Sequence, residues 1–296
     1  MAQQGVYYIP HGSRWPIIGS IGLFAFMLGA ANWLNGNDDF GRISLALGAL
    51  IIIGMMIGWF GTVIHESLRG TFNSQVDVSF RMGMMWFIFS EVMFFGAFFG
   101  ALFYTRMVAV PTLGGDSQGL GLLTGHEILT NHFLWSNFAP AWPTNGPDNV
   151  GGNFSTMPPW GIPLLNTLIL LTSSVTVTIA HHALRAAQRG KLLIFLALTV
   201  ILGATFLYFQ AHEYMEAYTH LNLTLHSGIY GSTFFMLTGF HGLHVTLGTI
   251  MLLVIWLRCA RGHFNREHHF AFEAVAWYWH FVDVVWLCLF LFVYVL

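Results

Sequence analysis

The chain has 296 residues, of which 55% are apolar and only 8% charged, and its net charge is -2. A soluble globular domain carries about 25% charged residues, so this composition excludes a disordered chain and a cytosolic enzyme, and a chain without basic excess is no nucleic-acid binder. Aromatics at 16% and a mean hydropathy of +0.64 leave a polytopic membrane protein.

A transmembrane helix needs roughly 20 mostly apolar residues. Seven stretches qualify, at about 15–34, 43–64, 82–104, 160–184, 192–211, 229–257 and 274–296. None shows the two-residue alternation of a transmembrane strand. The predicted fold is therefore an all-α membrane protein of seven helices in one polytopic domain, residues 1–296. Between the third and fourth spans lies a long segment, 105–159, rich in Gly, Pro and Asn, with Asp116, Glu127 and Asp148. It is expected on the outer side, either as a solvated cap or as a docking surface. Seven spans put the termini on opposite faces. Arg14, Arg69, Arg81, Arg185, Arg189, Lys191, Arg258, Arg261 and Arg266 share the N-terminal face, and only Arg42 and Arg106 fall on the other. The positive-inside rule then makes the N-terminal face cytoplasmic and the C-terminal face periplasmic.

Polar groups inside the spans cost about 2.5–3.5 kcal/mol each at mid-span on insertion scales, so each needs a reason. Gly54 with Gly58, and Gly96 with Gly100, stand at small-xxx-small spacing, and Gly19, Gly22 and Gly29 extend the tendency to the first span; all suggest close helix approach, within the chain or with another protein. At headgroup depth, Trp59, His65 and Glu66 end the second span, and Arg258 and His263 end the sixth. They are either ordinary belt and snorkelling residues or a phospholipid cradle. Glu91 sits mid-way along the third span with no cation within nine residues. It is either a neutral carboxyl bonded to a neighbouring helix or part of a proton relay. In the sixth span His241 and His244 are three apart and share a helix face; they are buried hydrogen-bonded imidazoles or ligands, and one of them is the natural partner of Glu91. His280 and Asp283 repeat the spacing in the seventh span, beneath Trp277, Tyr278 and Trp279, which fit an interfacial belt. Cys259 and Cys288 lie too far apart along the membrane normal for a disulfide. No phosphate loop, nucleophile elbow, zinc-protease motif or dinucleotide fingerprint occurs. No catalytic residue and no metal ligand are assigned.

Several of these segments carry a resemblance. Gly239-Phe240-His241-Gly242-Leu243-His244-Val245, His268-His269-Phe270 and Ala276-Trp277-Tyr278-Trp279-His280-Phe281-Val282-Asp283-Val284-Val285-Trp286 are the strongest, with Arg81-Met82-Gly83-Met84, Ser90-Glu91-Val92, Ala180-His181-His182 and Glu213-Tyr214 upstream. Over about 15–296 the chain resembles subunit III of the haem-copper cytochrome c oxidases. The resemblance implies a non-catalytic core subunit of a proton-pumping enzyme that carries electrons from ferrocytochrome c to oxygen. It implies that the first two helices splay from the other five around a lipid-filled V-shaped cleft. It further implies that Glu91 pairs with His244, and that Trp59, Glu66, Arg258 and His263 hold phospholipid headgroups. Haem and copper would belong to partner subunits, none to this one. Subunit I would be the main contact and subunit II the second, cytochrome c would dock on the complex, and no nucleic acid would take part. The subunit would support proton uptake and the stability of subunit I. The length of 105–159 points to a bacterial inner membrane rather than a mitochondrial one. A five-span quinol-oxidase relative is the nearest alternative. A haem protein using His241, His244 or His280, and a transporter using Glu91 and Asp283, are the readings from other classes.

Overall fold

The structure, a computed structural model, describes Tyr8 and residues 12–115 and 130–296. Asp116 and Glu127 lie outside the described residues. Among the described residues, seven helices are long and apolar enough to cross a membrane: α1 (Trp15–Leu34), α2 (Asp38–Leu68), α3 (Ser74–Tyr104), α4 (Ile162–Arg185), α5 (Arg189–Thr219), α6 (Gly228–Ala260) and α7 (Phe270–Leu289). Both α3 and α7 run on through wider π-type turns, Thr105–Ala109 and Phe290–Val295. No strand occurs among the described residues.

Most helices overrun the apolar stretches that predict them. Hydropathy locates only the hydrocarbon portion, about 30 Å, whereas a 31-residue helix such as α2, α3 or α5 measures roughly 46 Å at 1.5 Å per residue. The extra turns are built from charged and capping residues. Asn73 Oδ1 accepts from Val76 N at 2.9 Å, an N-cap that starts α3 eight residues before Met82. Arg81 Nε then reaches Asp77 Oδ2 at 2.8 Å one turn along. Asp38 and Asp39 begin α2 in the same way, favoured at a helix N-terminus. At the other end of α3, 105–113 is helical rather than loop.

Where the sequence predicts one polytopic domain, the chain divides into two compact units, Met1–Met82 and Gly83–Leu296. The first is built on the α1–α2 hairpin, closed by glycines seven residues apart. A Cβ on Gly29 would lie 2.2 Å from Leu45 N, one on Gly48 2.3 Å from Phe26 N and one on Gly41 2.6 Å from Trp33 N, while one on Gly22 would press on the Ile51 side chain at 2.9 Å. Only hydrogen atoms fit there, so the two backbones approach as closely as helices can. Gly54, Gly96 and Gly100 make no close helix contact among the described residues, where a Cβ at any of them meets nothing within 4 Å. Gly58 does face a neighbour, the indole of Trp15, whose Nε1 donates to Thr62 Oγ1 at 3.2 Å.

The second unit is centred on α7, half of whose residues are buried. Trp279 and Trp286 are fully buried. Their indoles donate to Ser173 Oγ and Thr167 Oγ1 of α4, each at 2.9 Å. Gly203 of α5 and Gly248 of α6 leave the space that the Trp279 ring fills. The interfacial-belt expectation therefore fails for Tyr278 and Trp279, both core residues. Their polar tips find partners inside the bundle, which removes the reason for an indole or phenol to seek the headgroups. The described part of the long segment folds back on this unit. Asn145 Nδ2 donates to Val150 O and Gly152 O, Asn222 Nδ2 donates to Asn153 O at 2.8 Å, and Phe154 stacks on Tyr230. Cys259 and Cys288 are free thiols.

Candidate functional site

Glu91 of α3 and His244 of α6 meet inside the second unit, Oε2 to Nε2 at 2.9 Å. On the far side of the ring, His244 Nδ1 is 2.7 Å from Phe240 O. A carbonyl only accepts, so Nδ1 carries a hydrogen. One proton is then shared between Nε2 and the carboxyl, which either donates to a neutral imidazole or accepts from an imidazolium. The pair as a whole is neutral in both forms, which is what hydrocarbon demands. Phe94, Phe95 and Tyr278 enclose the imidazole with ring centroids 5.9, 5.0 and 6.3 Å away.

His241, one turn earlier, serves a different neighbour. Its Nε2 donates to Val282 O of α7 at 3.2 Å, and its ring packs against Phe206 and Trp286. The two imidazoles of α6 therefore tie α6 to α3 and to α7 separately. His280 and Asp283 are joined through a residue of another helix. Ser174 Oγ of α4 donates to Asp283 Oδ2 and lies 2.8 Å from His280 Nδ1. Its only hydrogen is committed to the carboxyl, so His280 Nδ1 is the donor to the hydroxyl.

The cradle residues are divided between the units. Trp59 and Glu66 stand on α2, Trp59 exposed and stacked on Phe60. Arg258 and His263 belong to the end of α6. There Gly262, at φ +75°, lets Gly262 N reach Cys259 O and His263 N reach Arg258 O, both at 3.0 Å, in the Schellman pattern that ends helices. The Arg258 guanidinium lies 4.4 Å from the Phe264 ring centroid. Burial, then the positive charges of Arg258 and Arg261, hold the His263 imidazole below its ordinary value of 6.5.

Comparison with known proteins is decisive. The chain matches the cytochrome c oxidase subunit III family over residues 6–131 and 128–296. It is 40% identical over 289 residues to cytochrome c oxidase subunit 3 of Lumbricus terrestris, covering 97% of this chain and 96% of that one. The subunit 3 chains of Arabidopsis thaliana and Equus asinus are each 39% identical, covering 99% of this chain and 97% of theirs. The chain belongs to the cytochrome c oxidase subunit III family.

Two polar constellations of this family member escape sequence reasoning. Glu213 of α5 is fully buried and accepts from the Tyr294 hydroxyl at 2.5 Å, beside the Tyr214–Thr238 hydroxyl contact of 2.7 Å. The expected fifth span stops at Ala211, so Glu213 passes for a loop residue; only the overrun of α5 to Thr219 puts it inside. The second is His181 of α4 with His269 and Glu273 at the start of α7, whose ligand atoms all lie within 4.8 Å of one another. The sequence assigns no metal ligand, because residues 181 and 269 are 88 positions apart and neither forms a local motif.

Proposed function

We propose that the chain works as a subunit III that knits helices and holds lipid without carrying electrons, within an oxidase whose haem and copper sit in subunits I and II. The observation that supports this most is the commitment of His244, both of whose nitrogens are used, by Phe240 O and Glu91. His241 donates Nε2 to Val282 O, and its ring is enclosed by Phe206 and Trp286. A haem iron takes an imidazole nitrogen with an open lone pair, and breaking these bonds would leave Glu91 unpaired in the bundle. On this reading the Glu91–His244 pair supports the proton-uptake side of subunit I through the stability of the bundle. Trp59, Glu66, Arg258 and His263 take phospholipid headgroups. The nine-to-two basic asymmetry supports an N-terminus on the cytoplasmic side, and the length of 105–159 favours a bacterial inner membrane.

Glu91→Gln in the assembled enzyme tests the separation of this chain from electron transfer. The initial rate of oxygen reduction is expected to stay within about twofold of wild type, since no interaction with the reacting atoms is removed. Near-complete loss of the initial rate in fully assembled enzyme would contradict it.

A further inference from the structure

The His181–His269–Glu273 cluster lies at the end of the bundle where α4 finishes and α7 begins, away from the polar contacts above. His181 Nε2 is 3.6 Å from Glu273 Oε1, and His269 Nε2 is 3.0 Å from the same oxygen. Despite this proximity, His181 Nε2 and both nitrogens of His269 make no hydrogen bond among the described residues. His269 itself is 93% buried, at 7% exposure. Imidazole nitrogens crowded on one carboxylate oxygen without hydrogen-bond alignment are arranged as ligands are.

We infer that His181, His269 and Glu273 form a binding site for a divalent transition-metal ion, zinc being the best match. Bonds of about 2.0–2.1 Å at tetrahedral angles separate neighbouring ligand atoms by roughly 3.3 Å, and the two measured separations bracket that value. Two imidazoles with one carboxylate suit zinc and its neighbours, whereas calcium and magnesium require oxygen ligands. Three protein ligands leave a fourth position for water. Glu273 supplies the carboxylate ligand that accompanies the two imidazoles. Phe272 stacks on the His181 ring at 5.4 Å and fixes its plane. The bound ion would clip the end of α4 to the first turn of α7, the most buried helix of its unit. This inference does not depend on the oxidase reading.

The test uses the membrane complex as purified, stripped with a chelator and then titrated with zinc alone. Wild type should take up one more equivalent of zinc than His181→Ala or Glu273→Gln complexes. Crystals or grids of the wild-type complex should show zinc, by anomalous scattering or density, within bonding distance of all three side chains. Equal zinc uptake by wild type and both variants would overturn the inference. So would the absence of zinc at this position in zinc-loaded wild type, a result that stands even if the variants fail to assemble.

Discussion

Glu91 and His244 share one proton inside a helix bundle, and the energetics of that contact follow from its surroundings. In water-soluble cores, breaking a buried ion pair costs about 3–5 kcal/mol. Within membranes the unfolded helices find other partners, and measured polar couplings average about 0.6 kcal/mol with a maximum near 1.7. A double-mutant cycle with Glu91→Gln and His244→Ala, read by thermal unfolding in detergent, should therefore give a coupling of roughly 0.5–2 kcal/mol; zero coupling would mean the contact is incidental. At the end of α6 the lowered His263 value has a sign that can be followed. His263 is neutral at pH 7 and takes up its proton only below 6.5, later than it would in an unfolded chain, so its linkage disfavours the folded state as pH falls through that window. The cation available to an anionic headgroup at neutral pH is then Arg258. Arg258→Ala should lower the phospholipid that co-purifies with the complex at pH 7, and His263→Ala should lower it less; the reverse order would reject the assignment. Glu91 was legible in the sequence as a lone charge in an apolar run. Its partner was legible only through the family resemblance, because helix periodicity admits His241 and His244 alike and the packing of α3 against α6 is what separates them.

The helices show where pattern suffices and where it fails. Apolar length alone located all seven, since no other residue choice lets a backbone cross hydrocarbon. Their ends were misplaced because Asn73, Asp77, Asp38 and Arg189 lower the mean hydropathy while extending the helix. Glu213 was lost by the same error. Glycine spacing acts at two periods: the four-residue pairs Gly54–Gly58 and Gly96–Gly100 meet this chain only at Gly58, whereas the contacts of the α1–α2 hairpin repeat every seven residues. Gly29→Val or Gly48→Val should destabilise the hairpin by about 1–3 kcal/mol, the usual range for overpacking, or more because backbone atoms stand in the way. Gly96→Ala should be neutral or stabilising by up to about 1 kcal/mol, since it adds helix propensity in open space. Melting temperatures of the purified complex check both, and a Gly96→Ala loss as large as that of Gly29→Val would contradict the contact map.

At the scale of the molecule, the two units present different surfaces. In the first, Ile17, Phe24, Leu50 and Ile57 are exposed apolar side chains over half open, too many and too contiguous for water and suited to lipid or another subunit. In the second, α7 and its continuation are wrapped by their neighbours: Trp279, Trp286 and His280 donate hydrogen bonds to α4, Asp283 accepts one from α4, and Tyr294 donates to α5. The hydroxyls that receive or relay those bonds, Thr167, Ser173 and Ser174, read in the sequence as ordinary span residues, so the network was visible only once α4 and α7 were packed. Under the proposal of a subunit without a redox centre, these bonds are the structural task of the bundle, and the electrons of the oxidase are handled elsewhere. The most direct measurement compares haem and copper per catalytic subunit in the oxidase purified with this chain and after its removal. Unchanged metal and haem content, with the same reduced-minus-oxidised absorption bands, is the predicted result. Loss of a stoichiometric haem or copper signal together with the chain would contradict it.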